Sequence, residues 1–194
     1  MRLYKLSGQQ LLDIHNKPFK LEREIHDIVE KNVNELFDLE FIKSELSIGG
    51  FRFDTLCFDN ESKSFVIIEY KKGNSYSVID QGYTYLSILL NNKADFILEY
   101  NEMKANTLRR DQIDWSQSRI IFVSPKFNTY QLSSINFKDI PFELWEIKRY
   151  SNDTIGLQQI IIRSNESINS LMTTDQGPRI QVRDQIKVYD EQYH

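Results

Sequence analysis

The stretch FRFDTLCFDNESKSFVIIEYKKG, Phe51 to Gly73, decides the fold. Two runs rich in aromatic and β-branched residues, FRFDTLCF and SFVIIEYKK, flank the polar turn DNESK, and a third, FIKSELSI, precedes them across Gly49-Gly50. Side chains of these types suit a pleated, buried surface and the intervening residues suit chain reversals, so the three runs predict an antiparallel meander. Closing the hairpin with Phe58 opposite Phe65 carries the pairing back to Asp54 opposite Glu69, with Cβ atoms about 5 Å apart on one face. Two carboxylates so placed repel each other, which destabilises a sheet unless a cation or a shared proton relieves it.

Lys71 stands two residues beyond Glu69 and therefore projects from the same face, about 7 Å along the strand. Two carboxylates, with the intervening Tyr70 carbonyl, make a hard oxygen donor set suited to Mg²⁺ or Mn²⁺. A lysine beside them can stabilise charge developing on a phosphoryl group, so the cluster predicts a phosphodiester-cleaving centre. The competing reading is an ion pair of Lys71 with Asp54 and Glu69 at a sheet edge, which contributes little.

The tripeptide Glu-x-Lys does not decide between them, because it also occurs at Glu61, Glu102 and Glu146. Glu61 lies in the hairpin turn and Glu102 is expected in a polar loop. Glu146 and Lys148, in PFELWEIKRY, lie in an apolar strand but are expected to have no hairpin partner opposite them.

Working outward, MRLYKL predicts a short strand, followed by a loop ending near Pro18. Leu21, Ile25, Ile28, Val29, Asn32 and Leu36 then recur at helical spacing through LEREIHDIVEKNVNELF. After the meander, VIDQGYTYLSILLNNKADF returns to a helical period through Val78, Tyr85, Leu86 and Leu89. RIIFVSP and PFELWEIKRY supply two more strands around a short helix from Thr129 to Ser134, and GLQQIIIRS an edge strand. The order is αβββαβαβ, a mixed α/β domain whose central sheet is flanked by helices. It is expected to occupy 1–163, with 164–194 a polar linker or tail punctuated by Gly177-Pro178.

At 194 residues the chain can bury a core without external staples. The single cysteine, Cys57, lies in an apolar run and suits core packing in a reducing cytoplasm. No segment has the apolar core of a secretion signal or the ~20 apolar residues of a membrane span. A net charge of −4 argues against a broadly basic, nucleic-acid-coating surface, so any such role must rest on a local site. His15 and His26 lack partners at zinc spacing, and His26 is expected on a helix surface. Gly49-Gly50 lacks the context of a phosphate loop.

Taken together, FRFD ending at Asp54, IIEYK carrying Glu69 and Lys71, and a helix on either side resemble the PD-(D/E)XK nuclease superfamily, with its restriction-endonuclease-like fold. The resemblance covers roughly Leu21 to Tyr150 and is strongest to the branch of RecB-type and archaeal mismatch-type or single-strand endonucleases. That branch implies a further glutamate on the leading helix, for which Glu22 matches, with Glu24 as runner-up. It also implies a glutamine and an aromatic on the second helix, matched by Gln81 and Tyr85. The proline that names the superfamily is absent, since Phe53 precedes Asp54. The ending KVYDEQYH resembles the join to a small carboxy-terminal domain in longer relatives, so a following domain is expected.

The resemblance implies an Mg²⁺- or Mn²⁺-dependent nuclease acting on nucleic acid, with DNA the expected substrate and a homodimer compatible with it. Asp54, Glu69 and the Tyr70 carbonyl would ligate the metal, Lys71 stabilise charge, Glu22 act as auxiliary acid and Gln81 position a phosphate or water. Arg109, Arg110, Lys93, Lys104 and Lys126 are candidates to line a phosphate-tracking groove, with Tyr76 and Tyr83 for base stacking, against the competing reading of scattered solvated charge for most of them. The alternative is a non-catalytic module on the same fold that binds nucleic acid or another protein.

Overall fold

The computed structural model of the protein describes residues 2–73, 78–104, 107–136, 139–161 and 164. Tyr76 and all of the expected tail except Ser164 lie outside the described residues. The chain begins with a hairpin of β1 (Leu3–Ser7) and β2 (Gln10–Ile14), followed by helices α1 (Glu22–Glu30) and α2 (Val33–Phe37). The meander β3 (Glu40–Ile48), β4 (Phe51–Asp59) and β5 (Ser64–Tyr70) leads into α3 (Val78–Asn91) and α4 (Lys93–Met103). Two short 3₁₀ turns precede β6 (Arg119–Ser124), α5 (Thr129–Ser134), β7 (Phe142–Arg149) and β8 (Ile155–Gln159). The expected αβββαβαβ order is therefore present, with additional elements around it.

The strands from β3 to β8 form one six-stranded sheet in sequence order. The meander is antiparallel, β5, β6 and β7 are parallel, and β8 returns antiparallel at the edge. Every residue of β5 is buried, as a central strand covered on both faces requires. On one face Cys57, Val66, Ile68 and Tyr70 pack against Ile25 and Val29 of α1. On the other, Phe53, Leu56, Phe58, Phe65 and Ile67 pack against Tyr85, Leu86 and Leu89 of α3 and Phe96 of α4. Among the described residues no helix is long and apolar enough to cross a membrane.

Three expectations need correction. The first helix is broken at Asn32, whose side chain donates to the Ile28 carbonyl at 2.7 Å and so competes with continued helical bonding. The second helix also divides, at Asn92, and α4 runs on to Met103, so that Glu102 is helical. The loop before Pro18 contains β2, whose sequence QLLDI lacks an inside–outside alternation because Leu11 and Leu12 are both exposed. The hairpin β1–β2 meets the main sheet through a bridge between Asn16 and Tyr150.

Candidate active site

The hairpin pairs as the turn predicts, with Phe58 opposite Phe65. The β4–β5 ladder, however, ends at Thr55 opposite Ile68, one pair short of Asp54 and Glu69. Strand alternation fails there: Phe53 joins Leu56 on the α3 face, and Glu45, in the neighbouring stretch of β3, has a φ of 50°. Released from the ladder, the Asp54 side chain caps it, its Oδ2 accepting the Tyr70 amide at 3.0 Å. Asp54 and Glu69 nonetheless remain close enough for the charge of one to raise the pKa of the other.

Glu69 is 2% exposed. Its Oε1 accepts from Lys71 Nζ at 2.8 Å and from Gln81 Nε2 at 2.7 Å. Its Oε2 is buried without a hydrogen-bond partner. Burial first, and then Asp54, push the carboxyl up to about 7 against the opposing pull of Lys71 and Gln81. Burial disfavours the Lys71 ammonium, but Glu69, Asp54 and Glu22 outweigh it and its pKa is raised. Lys71 is therefore a fixed cation at neutral pH rather than a base.

Gln81 is aimed by a chain of contacts: its amide nitrogen lies 2.6 Å from the Tyr85 hydroxyl, which donates to the Arg52 carbonyl at 2.8 Å. The glutamine–tyrosine spacing thus places both side chains on the site-facing side of α3. Gly82, which the motif reading did not single out, lets α3 approach this closely. A Cβ there would fall 2.9 Å from the rings of Phe122 and Phe142. An unforced glycine inside an apolar helix costs about 1 kcal/mol, and that cost was the available signal.

The two glutamates at the start of α1 part company. Glu22 accepts the Lys72 amide at 2.8 Å, and its charge reaches Lys71. Glu24 turns back on the helix start, accepting the Leu21 amide at 3.0 Å and pairing with Arg149 at 3.3 Å. The amides of Leu21 and Lys20, with Arg149, hold its carboxyl below the ordinary range. Glu22 is thus the helix acid adjoining the cluster.

Glu146 and Lys148 do have a partner strand, β8, but the residues opposite are Gln158 and Gly156. No second acid faces Glu146 across that pairing. Among the described residues no three His, Cys, Asp or Glu side chains converge to hold a metal. The groups that could hold a metal at the end of β5 are therefore the carboxylates of Asp54 and Glu69 with the main chain of Tyr70. This fits an ion such as Mg²⁺, which retains several waters, and Glu69 Oε2, buried without a hydrogen-bond partner, is free to join such a set.

Several basic candidates lie elsewhere. Lys104 pairs with Glu40 at 2.9 Å, and Glu40 is opposite Phe58 near the hairpin turn. Lys93 lies 5.1 Å over the Trp115 ring, which stacks on Phe65. Leu108 and Gln112, which bracket Arg109 and Arg110, line a cavity of about 350 Å³ with Phe58, Asn60 and Lys63. These four cations are thus at the turn end of the hairpin, opposite the carboxylates. Nearer the site are Lys71 itself and Lys72, whose ammonium donates to the Lys20 carbonyl.

No family model matches the chain. An uncharacterised protein of Haemophilus influenzae is 45% identical over 195 residues, covering 100% of this chain and 64% of the relative, so the chain spans less than two thirds of that protein. A repair endonuclease of Pyrococcus abyssi is similar at 14% identity, over 68% of this chain and 50% of its own, with a TM-score of 0.41. EndoMS in complex with double-stranded DNA is similar at 15% identity over 75% and 64% respectively, with a TM-score of 0.45. SfsA of Pyrococcus furiosus with Ca²⁺ follows at 16% identity over 81% and 74%, with a TM-score of 0.35. At these scores the likeness is loose, and the site stands on its own geometry.

Proposed function

We propose that the protein is an Mg²⁺- or Mn²⁺-dependent endonuclease hydrolysing phosphodiester bonds in DNA. The observation that carries this reading is the divided state of Glu69: one oxygen is held by Lys71 and Gln81, while the other is buried and unpartnered in a carboxyl that the charge of Asp54 reaches. An oxygen buried without a partner is costly, and a ligand removes that cost. Asp54, Glu69 and the Tyr70 carbonyl would hold the ion, which when bound supplies the Lewis acidity for the reaction.

The chain's own groups then have distinct tasks. Lys71, positively charged and fixed by Glu69, stabilises negative charge gathering on the phosphoryl oxygens. Gln81, oriented by Tyr85, positions a phosphate oxygen or a water beside Glu69. Glu22 fixes the Lys72 main chain and so the exit of β5 at which the phosphate is held.

Purified protein incubated with Mg²⁺ or Mn²⁺ should cut at least one of plasmid, linear duplex, flap and single-stranded DNA. Asp54→Ala and Lys71→Ala should each lower the rate by roughly 100-fold or more. Cleavage that survives both changes removes these residues from the mechanism. DNA retention with neither cleavage nor Mn²⁺ uptake would instead support a binding module, and cleavage confined to RNA would reassign the substrate.

A further inference from the structure

Behind the carboxylate cluster, on the α1 face of the sheet, lies a buried polar chain that the proposed reaction does not use. His26, expected on a helix surface, is 6% exposed, and its ring stacks on Tyr70 with centroids 4.7 Å apart and planes 21° apart. Its Nε2 lies 2.7 Å from Glu30 Oε2. The same Glu30 oxygen accepts from Thr55 Oγ1 at 2.7 Å, and Thr55 Oγ1 lies 2.9 Å from the Tyr70 hydroxyl.

The directions of these bonds follow from the inventory of protons. A hydroxyl has a single hydrogen, and that of Thr55 goes to Glu30, so the bond between Thr55 and Tyr70 has the phenol as donor. Tyr70 therefore donates to Thr55 and Thr55 to Glu30, whose same oxygen meets the His26 ring.

Two members of this chain, Tyr70 and Thr55, bear on the candidate site. Tyr70 lies between Glu69 and Lys71, and its amide holds Asp54. Thr55 follows Asp54 directly and forms the last pair of the β4–β5 ladder, opposite Ile68. The chain thus ties together the residue after one carboxylate and the residue after the other, at the point where the ladder stops constraining them.

We infer that Tyr70, Thr55, Glu30 and His26 are positioning residues that fix the spacing of Asp54 and Glu69 for a divalent cation. This inference rests on the proposed metal site, but part of its test does not. Outer groups that orient ligands typically account for 10- to 100-fold in metal affinity. A packing role alone would affect global stability and leave ligand spacing unchanged.

The test compares the full chain with Thr55→Val, which deletes the hydroxyl at nearly constant shape, Thr55→Ser, which restores it, and Tyr70→Phe. Mn²⁺ binding is read by calorimetry, and exchange of the Tyr70 amide hydrogen is read in metal-free protein against the core amide of Ile68. Thr55→Val and Tyr70→Phe should each weaken Mn²⁺ at least 10-fold and speed Tyr70 exchange without speeding that of Ile68. Thr55→Ser should recover both. If Thr55→Val does not fold, Tyr70→Phe is read by the same criteria.

Unchanged Mn²⁺ affinity and Tyr70 exchange in a folded variant would overturn the inference alone. No Mn²⁺ binding by the wild type would overturn the metal site and the inference with it. Accelerated Tyr70 exchange in that case would leave the chain holding the strand end without serving an ion.

Discussion

At Glu69 burial opposes charge, and this conflict can be measured. Its carboxyl is pushed up to about 7 in the metal-free fold, chiefly by burial and then by Asp54. In the unfolded chain it returns to about 4.3. The folded state therefore holds a proton that the unfolded state releases across that window. The associated stability is fully present below the unfolded value and is lost as pH rises through about 7. Thermal unfolding in chelator should show the wild type losing up to about 3 kcal/mol through this group between pH 5 and pH 8. For a chain of this size the loss corresponds to roughly 5 to 10 °C in Tm. Glu69→Gln should lack that component, and parallel Tm–pH curves for the two proteins would refute the assignment. The proximity of Asp54, Glu69 and Lys71 was legible because hairpin pairing and strand alternation bring these positions to one strand end. Spacing alone could not separate Glu22 from Glu24. What separates them is which carboxylate satisfies the free amides at the start of α1, a three-dimensional fact.

Among the elements, the β4–β5 hairpin was the most legible, because strand periodicity and a polar turn fix its register. Its end was not legible. Extending the register to Asp54 assumes regular alternation, and the left-handed φ at Glu45 with the side-chain cap from Asp54 marks where that regularity stops. The helices were misjudged where asparagines interrupt an otherwise sustained period, at Asn32 and Asn92. The approach of α3 to the sheet is the element-scale feature on which Gln81 depends. Gly82→Ala should drive a Cβ into the rings of Phe122 and Phe142, costing roughly 1 to 3 kcal/mol. It should also move Gln81 away from Glu69 and weaken Mn²⁺ binding. Calorimetry of Gly82→Ala beside Gln81→Ala checks this, and wild-type Mn²⁺ affinity in a destabilised Gly82→Ala would show that the close approach serves packing alone.

In the whole molecule the parallel strands β5, β6 and β7 bring their carboxyl ends to one end of the sheet, where ligands of open α/β sheets are generally bound. The carboxylates lie at that end of β5, and Lys93, Lys104, Arg109 and Arg110 lie towards the other. The sequence left these cations between a phosphate groove and scattered solvated charge because it does not reveal which end of a sheet a connecting segment reaches. It did yield the mixed architecture, because each run of β5 and β6 is apolar enough to demand cover on both faces. The proposed function requires the end of β5 to hold a divalent cation between Asp54 and Glu69. Anomalous diffraction from Mn²⁺-soaked crystals tests it directly. A peak is expected about 2.2 Å from an Asp54 carboxylate oxygen and from Glu69 Oε2, and is expected to be absent in Asp54→Ala. An ordered site with no peak there, or a peak that persists in Asp54→Ala, would contradict it.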